Sequence, residues 1–480
     1  MEWKEKAIKT LQSSLKPVPS ELNDLDWKSD LSPKSDKLAQ HISAFANQSG
    51  GGFLVFGVND DGTLFSVTQN DANSIVERLG NIAISSLNHP IVIEHAFIEY
   101  EGYSLLFVYI PEHKDKPVHI KGGDLFNSYC RSAGLTVKMP QHLVRIQAGI
   151  SQGVPYELQI AMDHLTPDYV LQALHYQKAF EILGREVPST KEPILNIMRE
   201  YHFCGFTSNH WHITNLGALL FANNLRDFSF LGGKSLIIRK FFGTNNLDMD
   251  FDRISNLGYA IDFHDSIDFI MKHTHKGEIR DIRRTYDYIY PKDAIREFVA
   301  NALIHQDFTH PGSQIAVEIF TDRLTITNPG EPLNDVNLLI HLPPKSRNEL
   351  LANTMYLLNF CEKRGSGINK AYEAIEQKGN PAVKFRKSEV HTQVILFPVK
   401  DFREMTKSER INVCYQHACL LFKKNVPITN QSLRDRFHVS KGKSKAISFI
   451  ISDALEMGLI KPYNENSESR KFASYIPYYG

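Results

Sequence analysis

No stretch of this 480-residue chain approaches the roughly 20 consecutive apolar residues that a membrane-spanning helix requires. The opening MEWKEKAIKTLQ lacks the apolar core of a secretory leader, which points to the cytoplasm. Cysteine is scarce: Cys130, Cys204, Cys361, Cys414 and Cys419 are scattered, with no CxxC pair. That argues against a disulfide framework and a zinc ribbon, and fits a reducing compartment. Excess charge is missing too, since 54 basic residues balance 54 acidic ones. Any nucleic-acid surface must therefore be a local basic patch. A P-loop is absent: Gly442-Lys443-Ser444 would close GxxxxGK[ST], but Phe437 stands where its first glycine is required. No motor is legible. The histidine pairs His210/His212 and His273/His275 lack further ligands at zinc spacing and read as structural or surface residues.

What is present suits a globular protein, 42% apolar and 22% charged, with room for three or four domains of about 100–200 residues each. Four segments are legible, with an α+β character overall. Residues 1–147 hold the strand-like runs GGFLVFGV, PIVIEHAFI and SLLFVYI, with a helix at KLAQHISAFANQSG before the first. Residues 148–285 read as a mainly helical connector with a strand at KSLIIRKFF. Residues 286–400 alternate helix and strand. Ile315, Val317 and Ile319 have the period of a half-buried strand. Residues 401–480 have the rhythm of helix, short helix, turn, helix and β-wing.

The stretch REFVANALIHQDF, 296–308, carries the sharpest chemical signal. Glu297, Asn301 and His305 are four residues apart and share one face of a helix. A polar rim on an amphipathic helix would show the same spacing. Two features downstream favour a site. Asn328-Pro329-Gly330 follows a strand, and Gly365 and Gly367 precede a helix in EKRGSGI. Glycines there admit a phosphate close to the backbone, and a helix N-terminus attracts negative charge.

These signals, in this order, resemble the GHKL ATPase family (gyrase, histidine kinases). The resemblance implies that Glu297 activates water, that Asn301 binds magnesium, and that Gly365-Ser366-Gly367 forms the lid beside Arg364. Asn328 stands where the family has an aspartate for the adenine amino group, and its side-chain oxygen still accepts. The match is closer to the branch described as helicase-related transcriptional regulators. It rests on ITNLGALLF, REFVANALIHQDF, DRLTITNPG and EKRGSGI, over about residues 195–400. The resemblance implies a Bergerat-type α/β sandwich that binds ATP and dimerises.

Near the N-terminus, ELNDLDWK places Glu21, Asp24, Asp26 and Lys28 together, and FGVNDDG adds Asp60 and Asp61. Carboxylates at strand ends can hold a hard divalent cation. Asp-Asp-Gly is equally a turn signal. Together with AFANQSGGGFLVFGVNDDG and KPVHIKGGDLFNSYCRSAG, the segment 20–147 resembles the Schlafen/AlbA-type domain. Members that cleave transfer RNA use three acids and magnesium or manganese. The resemblance assigns those roles to Glu21, Asp26 and Asp60, with Lys28 steadying the leaving phosphate. Lys114, Lys116, Lys121 and Arg131 are candidates for phosphate contact. In the C-terminal segment, Lys441, Lys443 and Lys445, with Arg434 and Arg436 before them, sit where a winged helix-turn-helix would meet nucleic acid.

Two functions are compatible with these residues. One is a divalent-metal-dependent ribonuclease gated by ATP, with phage defence a fitting role. The other is an ATP-responsive DNA-binding transcriptional regulator without cleavage activity. Both expect RNA or DNA as partner, ATP and Mg2+ (or Mn2+) as cofactors, and a homo-oligomer.

Overall fold

Alternation along Gly52–Phe56 organises the first part of the computed structural model. Successive strand side chains point to opposite faces. Phe53 and Val55 join Leu25, Trp27, Leu105 and Phe107 in a core with Ala7 and Leu11 of the helix Glu2–Leu15. Leu54 and Phe56 join Leu106 and Val108 in a second core with the helices Ser35–Ala46 and Gln69–Ser85. Burial on both faces is why GFLVF is an unbroken apolar run. The described residues are 2–16, 19–151, 153–207, 209–280, 283–309, 314–362, 366–388, 390–464 and 473–480. Among them the chain divides into two units, Met1–Tyr156 and Glu157–Gly480. Among the described residues no helix of either is long and apolar enough to cross a membrane.

The first unit's sheet has the order Leu25–Lys28, Gly52–Phe56, Tyr103–Ile110, Glu94–Tyr100. The first pair is parallel and the others antiparallel. The strand Leu25–Lys28 falls within the acidic opening motif, so backbone pairing sets the positions of Asp26 and Lys28.

In the second unit a six-stranded sheet runs Met249–Ser255, Leu236–Phe241, Ile315–Ile319, Leu324–Pro329, His391–Leu396, Lys384–Lys387. Ile315, Val317 and Ile319 are buried and their neighbours half-buried, as the alternation predicts. Leu236–Phe241 pairs in parallel with Ile315–Ile319, so the sheet continues across the 285/286 boundary read from the sequence. The helices Tyr259–His273 and Lys292–His305 lie between those two strands in the chain. The 148–285 segment is thus less purely helical than its periodicity predicts. Besides Leu236–Phe241 and Met249–Ser255 it holds a three-stranded sheet of Ile160–Leu165, His210–Thr214 and Cys204–Thr207.

The C-terminal part packs the helices Lys407–Lys423, Asn430–Arg436 and Ser444–Glu456 around Val413, Cys414, Leu433, Ile447 and Ile451. Thr406 with Glu409 and Thr429 with Ser432 form capping boxes that start the first two helices. A three-stranded sheet of Ile428–Thr429, Ser474–Pro477 and Ile460–Pro462 closes this part.

Candidate functional site

The helix Lys292–His305 buries Ile295, Phe298, Val299, Ala302 and Leu303. Its polar strip faces a pocket, where Glu297, Asn301 and His305 meet Asn328, Arg347 and Gly367. Glu297 is buried. Its Oε1 accepts from Asn301 Nδ2 at 3.4 Å, and its Oε2 has no hydrogen-bond partner among the described residues. Burial pushes the carboxyl above its ordinary range, opposed only in part by the Glu362 backbone N–H and the Arg296 charge. A buried carboxylate oxygen without a partner is costly, and a cation or a held water would satisfy it. His305 goes the other way. Burial, then the Arg347 charge, lowers its imidazole to about 4, so the ring is neutral at pH 7.

Gly367 opens the helix Gly367–Lys378, and a Cβ there would land on the Glu297 carboxylate. Only glycine lets that helix N-terminus come so close, and the N-terminus favours the negative charge. Asn328 is the penultimate residue of the strand Leu324–Pro329. Its Nδ2 donates to the Pro329 carbonyl at 3.1 Å, leaving Oδ1 as an acceptor at the pocket wall. Gly330 has φ 102, and a side chain there would press on Asp307 and Arg347. Arg364 and Gly365 lie outside the described residues.

Arg347 is a pocket residue that no spacing in the sequence marks. It donates to the carbonyls of His305 (3.1 Å) and Glu331 (3.2 Å) and approaches Asp307 Oδ2 at 3.7 Å. With Lys345 it brings positive charge to a wall otherwise apolar at Leu333, Leu342 and Val394. The sole local signal is a basic KSRN run just before the helix Glu349–Leu357.

The far end of the Gly367–Lys378 helix makes a second junction. Glu376 accepts from His417 Nδ1 at 2.8 Å and lies 3.5 Å from Arg436 Nε. Arg436 Nη2 donates to the Asn380 carbonyl at 2.6 Å. Arg436 is buried, so it holds the short helix Asn430–Arg436 to this junction and contributes nothing to the surface basic group read from the sequence. One 12-residue helix, about 18 Å long, therefore contacts both the Glu297 carboxylate and the C-terminal helices.

In the first unit Asp26 is fully buried and ringed by Lys28, His41 and Arg131. Lys28 Nζ is 2.6 Å from Oδ1, while His41 Nδ1 and Arg131 Nη1 are each 3.0 Å from Oδ2. Burial opposes ionisation of Asp26. Hydrogen bonds from His41 and Glu21 and the Lys28 and Arg131 charges outweigh it and hold the carboxyl far below its usual range. Burial, then the adjoining Asp26 carboxylate, pushes Glu21 up to about 7. Arg131 is itself buried, bonded to the Leu22 and Gly134 carbonyls and stacked over Phe45. It braces Asp26 and is not a surface phosphate contact.

Asp60 does not converge with Glu21 and Asp26 at ligand distance among the described residues. It is exposed on a tight turn in which Asp61 accepts from Thr63. Lys114 and Lys121 are exposed, and Lys116 is paired with Glu112 at 2.5 Å. Lys441, Lys443 and Lys445 are exposed at the start of Ser444–Glu456, whereas Arg434 is braced by Asn430 and Gln431. Among the described residues a three-ligand group does converge at His89, His113 and Asp115, which no sequence motif singles out. His210 and His212 join no such group among the described residues, and the His275 side chain lies outside them.

The raised Glu21 carboxyl has a measurable consequence. A native carboxyl that protonates more readily than in the unfolded chain stabilises the fold at low pH and loses that contribution as pH rises from about 4.5 to about 7. Glu21→Gln, which mimics the protonated form, should raise the melting temperature at pH 8 and leave it nearly unchanged at pH 5. An equal shift at both pH values would remove Glu21 as the titrating group.

Fold and site define a multidomain α+β protein with an N-terminal AlbA-like domain and a C-terminal ATP-binding domain, an architecture associated with nucleic acid. Residues 21–140 match the family model "Schlafen, AlbA_2". Residues 312–396 match the model described as "Putative ATP-dependent DNA helicase recG C-terminal", of the HATPase_c type. The chain thus carries a Schlafen AlbA_2 domain and a GHKL-like, RecG-related ATP-binding domain. No curated protein matches it. Among solved structures it is similar to the DIP2311 protein of Corynebacterium diphtheriae, at 15% identity and a TM-score of 0.42, over 99% of this chain and 98% of that one. It is also similar to the N-terminal domain of a RecG-related protein of Nitrosomonas europaea, at 25% identity and a TM-score of 0.21, over 28% of this chain and 95% of that one.

Proposed function

We propose that this protein is an ATP-responsive nucleic-acid-binding regulator, in which nucleotide in a Bergerat-type pocket sets the grip of a C-terminal winged helix-turn-helix. The observation that carries the reading is the Gly367–Lys378 helix, with the pocket carboxylate at one end and the Glu376–Arg436–His417 junction at the other. A rigid element in contact with two sites is the physical route by which occupancy of one biases the other.

The residues fit MgATP. Glu297 Oε2, without a partner among the described residues, and the space that Gly367 leaves beside it suit a cation and water. Asn301 would hold the magnesium and Glu297 the attacking water, Arg347 and Lys345 the phosphates, and Asn328 Oδ1 the adenine amino group. Magnesium, when bound, supplies Lewis acidity at the terminal phosphate. Glu297 orients water and His305, neutral, adds a hydrogen bond rather than a charge. The parts before 147 and after 400 take the nucleic-acid and winged-helix roles, and the ATP-binding role takes in the whole six-stranded sheet, including Leu236–Phe241 and Met249–Ser255 from before the 285 boundary. Assembly as a homo-oligomer in the cytoplasm suits a regulator of this kind.

The second reading, a metal-dependent ribonuclease acting on transfer-RNA-type substrates in phage defence, has the adjacency of Glu21 and Asp26 in its favour. Against it stand the Lys28 and Arg131 cations and the His41 ring on Asp26, and the separate position of Asp60. A cation there would have to displace ligands that already neutralise the carboxylate.

The deciding experiment measures binding to labelled duplex DNA and to transfer RNA, with manganese or magnesium, with and without ATP. The expected result is intact nucleic acid bound with an ATP-dependent affinity. The triple variant Lys441→Ala, Lys443→Ala, Lys445→Ala should bind more weakly. It should also lower the slope of log affinity against log salt by about 0.9 per lost phosphate contact. Metal-dependent cutting that Glu21→Ala and Asp60→Ala both abolish would instead establish the nuclease.

A further inference from the structure

We propose that His89, His113 and Asp115 form a site for a transition-metal cation of the zinc class, which ties the loop 111–117 to the segment 87–91 within the N-terminal unit. Their ligand atoms all lie within 4.8 Å of one another. The two imidazoles come from positions 24 residues apart (113 − 89), yet their rings face each other with centroids 4.9 Å apart and 17° between planes. Zinc would be held where side-chain rotations bring two nitrogens and a carboxylate oxygen to roughly 2.0–2.2 Å from it.

The backbones that carry these ligands are held independently of any ion. On one side, Asn88 N donates to the His119 carbonyl at 3.0 Å, His119 N donates to Asn88 Oδ1 at 2.7 Å, and Ile91 N donates to the Ala83 carbonyl at 3.0 Å. On the other, His113 N donates to the Ala46 carbonyl at 2.9 Å and Lys116 N to Ser151 Oγ at 2.6 Å. The fold has already ordered the chain around the site, so an ion meets a set largely in place.

The hydrogen bonding of His113 suits a ligand. Its Nδ1 lies 3.0 Å from the Asp115 carbonyl. An Nδ1–H donating to that oxygen leaves the Nε2 lone pair for a metal, the pattern in which a second partner orients a ligating imidazole. The Asp115 N–H, 3.1 Å from the same Nδ1, supports the other tautomer when no ion is present.

Donor chemistry selects the ion. Two imidazoles and one carboxylate favour zinc-like cations over magnesium and calcium, which take oxygen ligands. Glu112, the other acid of the loop, is engaged by Lys116 and is not needed. Three protein ligands leave a coordination position open. Lys114 stands between two of the ligands in sequence and is exposed. A bound divalent ion would add positive charge beside it and strengthen this loop as a contact for phosphate.

The test is calorimetric titration of chelator-stripped full-length protein with zinc chloride, repeated with cobalt for its visible absorption. One equivalent is expected to bind. His89→Ala and His113→Ala should each weaken it at least tenfold, since even second-shell losses cost about 10–100-fold. Asp115→Asn, on an exposed side chain, should weaken zinc binding while leaving the melting temperature unchanged, which separates ligand loss from misfolding. His95→Ala, on the strand Glu94–Tyr100, should bind as wild type. Absence of zinc uptake by the wild type, or equal binding by the His89, His113 and Asp115 variants, would overturn the proposal. So would equal loss in the His95 control.

Discussion

Glu297→Gln is expected to keep MgATP bound and to slow ATP turnover by about 100-fold or more, the lower range for loss of a positioned general base. The amide fills the same space beside Asn301 and Gly367, so the pocket keeps its shape, but it cannot take a proton from water. Burial raises the wild-type carboxyl above its ordinary range. A base must be ionised to act, so turnover should rise with pH through a transition lying above the usual carboxylate range, and the variant should lack it. Fluorescent-nucleotide binding and phosphate release measure the two halves separately. Equal turnover in variant and wild type would remove Glu297 from catalysis and leave a pocket that only binds.

Breaking the junction at the other end of the same helix should separate nucleotide from nucleic acid. Arg436→Met removes a buried cation from Glu376 and Asn380, and loss of one partner of a buried pair costs about 3 kcal/mol. The sharper expectation concerns coupling. If ATP changes nucleic-acid affinity by about 5–150-fold in the wild type, the ratio of affinities with and without ATP should fall toward one in the variant. Glu376→Gln can still accept from His417 and is the milder test of the same link. A variant that folds, binds both ligands and keeps the full ratio would rule this helix out as the route.

The helix face that carries Glu297, Asn301 and His305 was legible because helical period is a local property, and the structure brings all three to one pocket. The turn at Asp60 and Asp61 was legible for the same reason. Charged residues were harder to place. Arg131 and Arg436 look in sequence like the basic residues around them, yet both are buried against carboxylates. Arg347 reaches the pocket through hydrogen bonds to carbonyls 42 and 16 residues away.

Asp26 shows where the division lies. Its place after Glu21 and before Lys28 is written in eight consecutive residues, and that spacing suits a metal site or an ion pair equally. The choice is made by His41 and Arg131, 15 and 105 residues further along, which the fold brings to the same carboxylate. The sequence by itself determined the order of the parts, the polar face of the pocket helix and the absence of a P-loop, since each depends on neighbours in the chain. Only the tertiary structure decided which charges are neutralised, which remain at the surface, and that His89, His113 and Asp115 meet. Those outcomes depend on distances that chain spacing does not encode.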